Sequence, residues 1–250
     1  MKKILILAPH PDDEIVGACI IIKKFLEKKC DISIFFLTNG VISKKEMWFF
    51  ERYKYSKFVN RRLLEAKKTL KELGVKKYFL QNIPTRCLKK NIKKTYSRLN
   101  KIIKNNDFDC LFVPAYEGGH QDHDIANFIS SFFIKKLKVF EYPEYNFFSK
   151  KVNSNSFPKK LGNEVFLSLS QYEILYKKKL LNNYKSEKKN LNYLEIASEC
   201  YRPIAKYDYR LPPHKGILFY RRFAIFSWHP RVDSTTPERV CESFMKFEKN

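Results

Sequence analysis

No apolar run in this 250-residue sequence approaches the ~20 residues a membrane-spanning helix needs. The N-terminal run Ile4-Leu5-Ile6-Leu7 is too short for the core of a signal peptide, and it stops at Asp12-Asp13-Glu14. The six cysteines (19, 30, 87, 110, 200 and 241) lack the paired short spacings of a disulfide framework or a cysteine zinc site. These absences lead us to expect a protein of a reducing, cytoplasmic compartment. There is no internal repeat, and an apolar content of 44% excludes a disordered chain. Arginine is scarce: 11 of the 49 basic residues are Arg and the other 38 are Lys. The formal net charge of +23 is therefore built without the residue best suited to base and phosphate recognition. A lysine excess beside abundant Asn, Ile, Phe and Tyr is what AT-rich coding would give. The competing reading, a basic module for nucleic acid or an acidic membrane, finds no Arg-rich stripe or known binding motif, so nucleic acid is not the expected partner.

What is present is alternation. Strand-like runs at residues 4–7, 31–38, 77–80, 110–113 and 139–142 are separated by helical patterns over about 15–29, 59–73, 90–105 and 124–134. Strand after helix after strand predicts an α/β fold with a mainly parallel sheet and helices on both faces. Residues 41–57, aromatic and charged without clear period, read as a loop or lid. The polar segment 150–163 is the best candidate linker. Beyond it come a strand over 165–169, a helix opened by the capping box Ser170/Glu173, and a less regular stretch from Tyr201. We expect one domain: residues 1–149 as an α/β core, and 150–250 as an irregular C-terminal extension completing fold and cleft.

The chemistry lies in two loops. Ala8-Pro9-His10-Pro11-Asp12-Asp13-Glu14 follows the first strand, and His120-Gln121-Asp122-His123 follows the strand at 110–113. Each also reads as a polar loop with an acidic helix start, with Asp122 or Asp124 as N-cap. Three of the five histidines fall in these loops beside Asp, and loops after neighbouring parallel strands meet at one sheet edge. Catalytic zinc sites use three protein ligands and leave a position for water. His10, Asp13 and His123 make such a set. Asp12 and His120 are then left as acid–base or oxyanion groups, and Asp122 as a residue that orients a ligand histidine. Iron(II) or another divalent ion is an alternative to zinc, since a nitrogen/oxygen site selects metals poorly by affinity.

Both motifs resemble those of the LmbE/PIG-L family of zinc-dependent de-N-acetylases. Pro9-His10-Pro11-Asp12-Asp13-Glu14 is similar to the family signature, and His120-Gln121-Asp122-His123 to its second element. Weaker likeness runs through Arg62-x-x-Glu65-Ala66, Leu73-Gly74-Val75, residues 179–186 and Pro212-Pro213-His214. The resemblance implies a Rossmann-like fold, metal ligands His10, Asp13 and His123, Asp12 as general base, and His120 facing the tetrahedral intermediate. It implies hydrolysis of an acetamide on an amino sugar. If some of the lysines line the cleft, the net charge leads us to expect that sugar to be phosphate-bearing, nucleotide-linked or lipid-linked. A non-sugar amide is an alternative. By the same likeness Arg62 and His214 are candidate substrate contacts, although Arg62 also reads as a solvated helix residue. Val41 and Glu117-Gly118-Gly119 depart from the family pattern.

Overall fold

The structure, a computed structural model, describes residues 2–191, 194–230 and 232–249. The first apolar run forms β1 (Lys3–Ala8), and two helical pieces, α1 (Asp13–Val16) and α2 (Cys19–Glu27), lead to β2 (Asp31–Phe36). The chain continues through α3 (Tyr55–Leu73), β3 (Lys77–Leu80), α4 (Ile92–Lys104), β4 (Cys110–Pro114), α5 (Gln121–Ser131) and β5 (Lys138–Tyr142). A short hairpin, β6 (Tyr145–Asn146) with β7 (Asn153–Ser154), precedes β8 (Val165–Ser168), α6 (Gln171–Leu181), α7 (Lys188–Leu191), β9 (Ser198–Pro203) and α8 (Pro237–Glu248). Among the described residues the sheet has the order β3-β2-β1-β4-β5-β9-β8. Its first five members are parallel, and β9 and β8 are added antiparallel. The fold is thus the Rossmann-like α/β class expected.

Alternation along β1 decides which helices cover which face. Ile4, Ile6 and Ala8 join a core with Ile20 to Ile22 of α2, Leu70 and Leu73 of α3, and Leu180 of α6. Leu5 and Leu7 face the other way, onto Leu99 and Ile102 of α4, Ile125 and Phe128 of α5, and Val240 and Phe244 of α8. The capping box forms as expected at Ser170 and Glu173. The segment at 150–163 does not run free. It pairs through β7, and Asn155 N donates to Glu144 O at 2.9 Å.

The continuous first helix expected over 15–29 is broken at Gly17-Ala18. A Cβ at Gly17 would lie 2.3 Å from the Tyr142 ring and 2.8 Å from Glu144 Cγ, so only glycine lets the end of β5 come this close. The break exposes helix-start N–H groups, and the far end of the chain satisfies them. Glu199 of β9 accepts from Ile20 N and Ile21 N, each at 2.9 Å. Lys177 neutralises Glu199 at 2.8 Å and donates to Val16 O at 2.7 Å. Both charged side chains are fully buried, so this lysine is no part of a solvated face.

Removing one partner of such a pair strands the other in a dry environment. Lys177→Ala is expected to destabilise the protein by about 3–5 kcal/mol in urea unfolding. Glu199→Gln added to that background should recover part of the loss. A loss near zero in the single variant would mean that water reaches Glu199.

Candidate active site

From β1 the sheet grows one way through β2 and β3 and the other way through β4 and β5. The loops after β1 and β4 therefore face each other at the point where strand order reverses, the usual place for a site in this class. The β1 loop is pinned by its own acids. Asp13 Oδ2 accepts from His10 N at 2.7 Å, and Glu14 Oε2 accepts from Asp12 N at 3.0 Å. Glu14 is fully buried, and its other oxygen accepts from the Tyr184 hydroxyl. Asp12 takes φ 154° and ψ −25°, a backbone region seldom occupied by a residue with a side chain.

On the facing loop α5 starts three residues earlier than expected, and its N-cap is His120, not Asp122 or Asp124. His120 Nδ1 accepts from Asp122 N at 3.0 Å. Both aspartates are engaged elsewhere. Asp124 accepts from Gly118 N at 3.1 Å. Asp122 Oδ2 faces His10 Nε2 at 3.1 Å and accepts from Thr85 Oγ1 at 3.0 Å and Arg86 N at 2.7 Å.

His10, Asp13 and His123 come together. His10 Nδ1 lies 3.2 Å from Asp13 Oδ2, His123 Nε2 lies 3.3 Å from the same oxygen, and the two ring nitrogens are 3.3 Å apart. A tetrahedral ion with bonds of ~2.0–2.2 Å has ligand atoms about 3.3–3.6 Å apart, so this triangle has the right edge length for one face of a zinc-type site. His10 Nε2 is backed by Asp122, the usual way of fixing a ligand tautomer, whereas Glu144 Oε1 lies 3.8 Å from His123 Nδ1, beyond hydrogen-bond range. Two overlapping trios, His10/His120/His123 and Asp13/His123/Glu144, also hold ligand-type atoms within 4.8 Å of one another.

Electrostatics sort the remaining groups. Burial pushes the Asp12 carboxyl up, and although Arg62 opposes this it settles at about 7. Burial draws His10 down, but Asp13 and Asp122 outweigh it and raise the imidazole to about 10. His120 is held well below the usual histidine range by burial and then by the His10 charge. Burial, then the charge of Asp13, keeps Glu144 well above the usual carboxyl range.

Arg62 is buried rather than solvated. Its Nη2 lies 3.1 Å from Asp12 Oδ1, and its Nη1 3.4 Å from Glu187 Oε1. Gly40 makes the space, since a Cβ there would sit 2.7 Å from Arg62 Nε. His214 contacts other residues: its ring meets Phe148 edge-on at 5.6 Å, and Nδ1 faces Lys215 O at 2.9 Å. Thr85, Arg86 and Glu144 have no counterpart among the residues singled out from sequence. Each follows a strand end (β3 or β5), and that position was the one signal available.

The sequence pattern of the family described as PIG-L: GlcNAc-PI de-N-acetylase matches residues 5–132, and the chain belongs to that family. No curated protein matches it. Among solved structures, a deacetylase of the teicoplanin biosynthesis pathway superposes with a TM-score of 0.65 at 14% identity, covering 83% of this chain and 99% of the other. N,N'-diacetylchitobiose deacetylase from Pyrococcus horikoshii gives 0.55 at 18% identity, covering 74% and 70%. A 4-carboxy-2-hydroxymuconate hydratase, GalB from Pseudomonas putida KT2440, gives 0.50 at 11%, covering 83% and 99%. At these identities the likenesses establish the shared fold, and the hydratase shows that the fold alone does not fix the reaction.

To ligate an ion, His10 must give up the proton that Asp13 and Asp122 stabilise. Chelator-stripped protein is expected to release at least one proton per zinc bound at pH 7, because His10 with a pKa of about 10 is protonated there. Calorimetry in buffers of different ionisation enthalpy reads this number. In the same titration His123→Ala should lose most of the affinity. Zinc uptake at wild-type strength in that variant would remove His123 from the site.

Proposed function

We propose that this chain is a metal-dependent hydrolase, most simply using zinc, that removes the acetyl group from an N-acetylated amino sugar. The observation that carries the reading is the triangle of donor atoms from His10, Asp13 and His123, flanked by a buried carboxylate and a neutral imidazole. A divalent ion held there would supply Lewis acidity and lower the pKa of a coordinated water to ~7.

The chain's own residues divide the remaining work. Asp12, with a pKa of about 7, is matched to take a proton from the attacking water at neutral pH and to return it to the leaving amine. Arg62 holds that carboxylate in place and limits how far burial can raise its pKa. His120 accepts the Asp122 N–H at Nδ1, so its own proton sits on Nε2. A neutral imidazole fixed in that tautomer is a hydrogen-bond donor for a developing oxyanion. This favours the oxyanion role for His120 over protonation of the amine. Asp122 acts through His10, the histidine it backs. The family's description names a sugar on a phosphate-bearing carrier, GlcNAc-PI, and a net charge of +23 favours capture of an anionic substrate. We therefore read the substrate as phosphate-bearing, whether nucleotide-linked or lipid-linked.

Acetate release measured over free, nucleotide-linked and lipid-linked N-acetyl sugars tests the activity, and no release from any of them would overturn it. Asp12→Asn should keep its metal and lose a factor of about 10²–10⁴ in kcat. In wild-type protein kcat/KM should fall as pH drops through about 7, since the base is active only when ionised. Near-normal turnover in Asp12→Asn would place the base elsewhere. An advantage of phosphorylated over matched neutral sugars should fade as the Debye length shrinks from about 10 Å at 0.1 M salt to about 3 Å at 1 M.

A further inference from the structure

Two segments at the carboxyl edge of the sheet meet in a patch of exposed rings. The stretch after β2 turns Trp48, Phe49, Phe50 and Tyr53 outward, with Phe49 and Tyr53 each 77% exposed. The stretch before α8 adds Ile225 and Trp228, 83% and 70% exposed. The two halves touch: Trp48 lies 6.5 Å from Trp228 and 5.8 Å from His229, and it stacks on Phe50 at 6.1 Å. Exposed apolar groups scattered singly need no explanation, but a contiguous patch of them marks a surface that meets something.

The patch stands on a built framework. Met47 beneath it is buried, and its carbonyl accepts from Arg52 Nε at 3.3 Å. Arg86 Nη1 donates to Pro230 O at 2.8 Å, fixing the second segment. The backbone of the same arginine donates to Asp122 at 2.7 Å, which ties the patch to the catalytic edge of the molecule.

Charge selects the partner. Residues 44–57 carry five basic side chains (Lys44, Lys45, Arg52, Lys54 and Lys57) against Glu46 and Glu51, in a chain of net charge +23. Lys44 and Lys54 lie over the rings of Tyr55 and Tyr53 at 5.5 and 5.1 Å, so cations and rings share one surface. A second copy of the chain would meet this face with the same sign of charge. Nucleic acid would use these rings as stacking platforms, whereas Ile225, the most exposed of the second segment's apolar side chains, cannot stack. A bilayer rich in anionic lipid offers both what the rings need and what the lysines need. Tryptophan and tyrosine favour the head-group level, and juxtaposed lysines favour an anionic leaflet. No helix among the described residues is long and apolar enough to cross a membrane, so the contact would be with the surface.

We propose that this face docks on the surface of an anionic bilayer, with the rings seated at head-group depth and the flanking lysines against the lipid charges. Binding of this kind does not depend on the reaction the site performs, so it can be tested without turnover. The full chain should co-sediment with mixed phosphatidylcholine–phosphatidylglycerol vesicles, weakly or not at all with phosphatidylcholine alone, and less at high salt. Lys44→Gln and Lys45→Gln should each weaken binding about fivefold at low salt. Phe49→Ser combined with Trp228→Ser should weaken it by at least about tenfold while leaving the thermal midpoint unchanged, since both side chains are exposed. Equal binding to neutral and anionic vesicles, or ring variants that bind like wild type, would overturn the proposal. So would ring variants that abolish self-association of a protein indifferent to vesicles, or tighter capture of a single-stranded oligonucleotide than of vesicles.

Discussion

The contact between His10 and Asp122, 112 residues apart in the chain, is the constraint on which the edge that carries the candidate site depends. It joins two polar side chains that are almost wholly buried, and polar groups so placed need partners at hydrogen-bond range. The consequences spread outward from it. Asp122 is committed to His10, Thr85 and Arg86, so α5 must be capped by His120 instead. That cap fixes the tautomer of His120. Asp13 is committed to His10 and His123, which leaves Arg62 as the partner for its neighbour Asp12. A single hydrogen-bonded contact across the switch point thus assigns a partner to each group around it.

The parallel sheet and both loops were legible in the sequence because each is local. Alternation of apolar runs is visible within a window of a dozen residues, and His10, Asp12 and Asp13 lie within four. What could not be read depends on distant partners. The break at Gly17 exists because Tyr142 and Glu144 press against it, and nothing near Gly17 announces them. Lys177 follows the pattern of a solvated lysine until β9 brings Glu199 to it. Arg62 is equally plausible as a surface residue until Gly40 opens a path to Asp12. Thr85, Arg86 and Glu144 are single polar residues after strand ends, and only the strand order shows that those ends converge.

The lysines, uniform in composition, fall into physically different groups once placed. Lys177 is a buried counter-ion that closes a helix break. Others, such as Lys23 with Glu27, form exposed helical pairs whose contribution is small and fades with salt. Those of residues 44–57 sit among rings beside the catalytic edge. One number, +23, therefore averages over roles that share nothing except the side chain.

The β1 loop is made first and completed late. Tyr184 reaches back 170 residues to hold Glu14, and Glu187 steadies Arg62 behind Asp12. During synthesis at about 5–20 residues per second, the loop waits roughly 10–35 s for these partners to be made. Over that interval the β1 loop lacks the partners that Tyr184 and Glu187 supply, and the seldom-occupied backbone at Asp12 is without their support. The geometry of the β1 loop is therefore a product of long-range closure, and any fragment that stops short of residue 184 carries the signature residues without the partners that shape them.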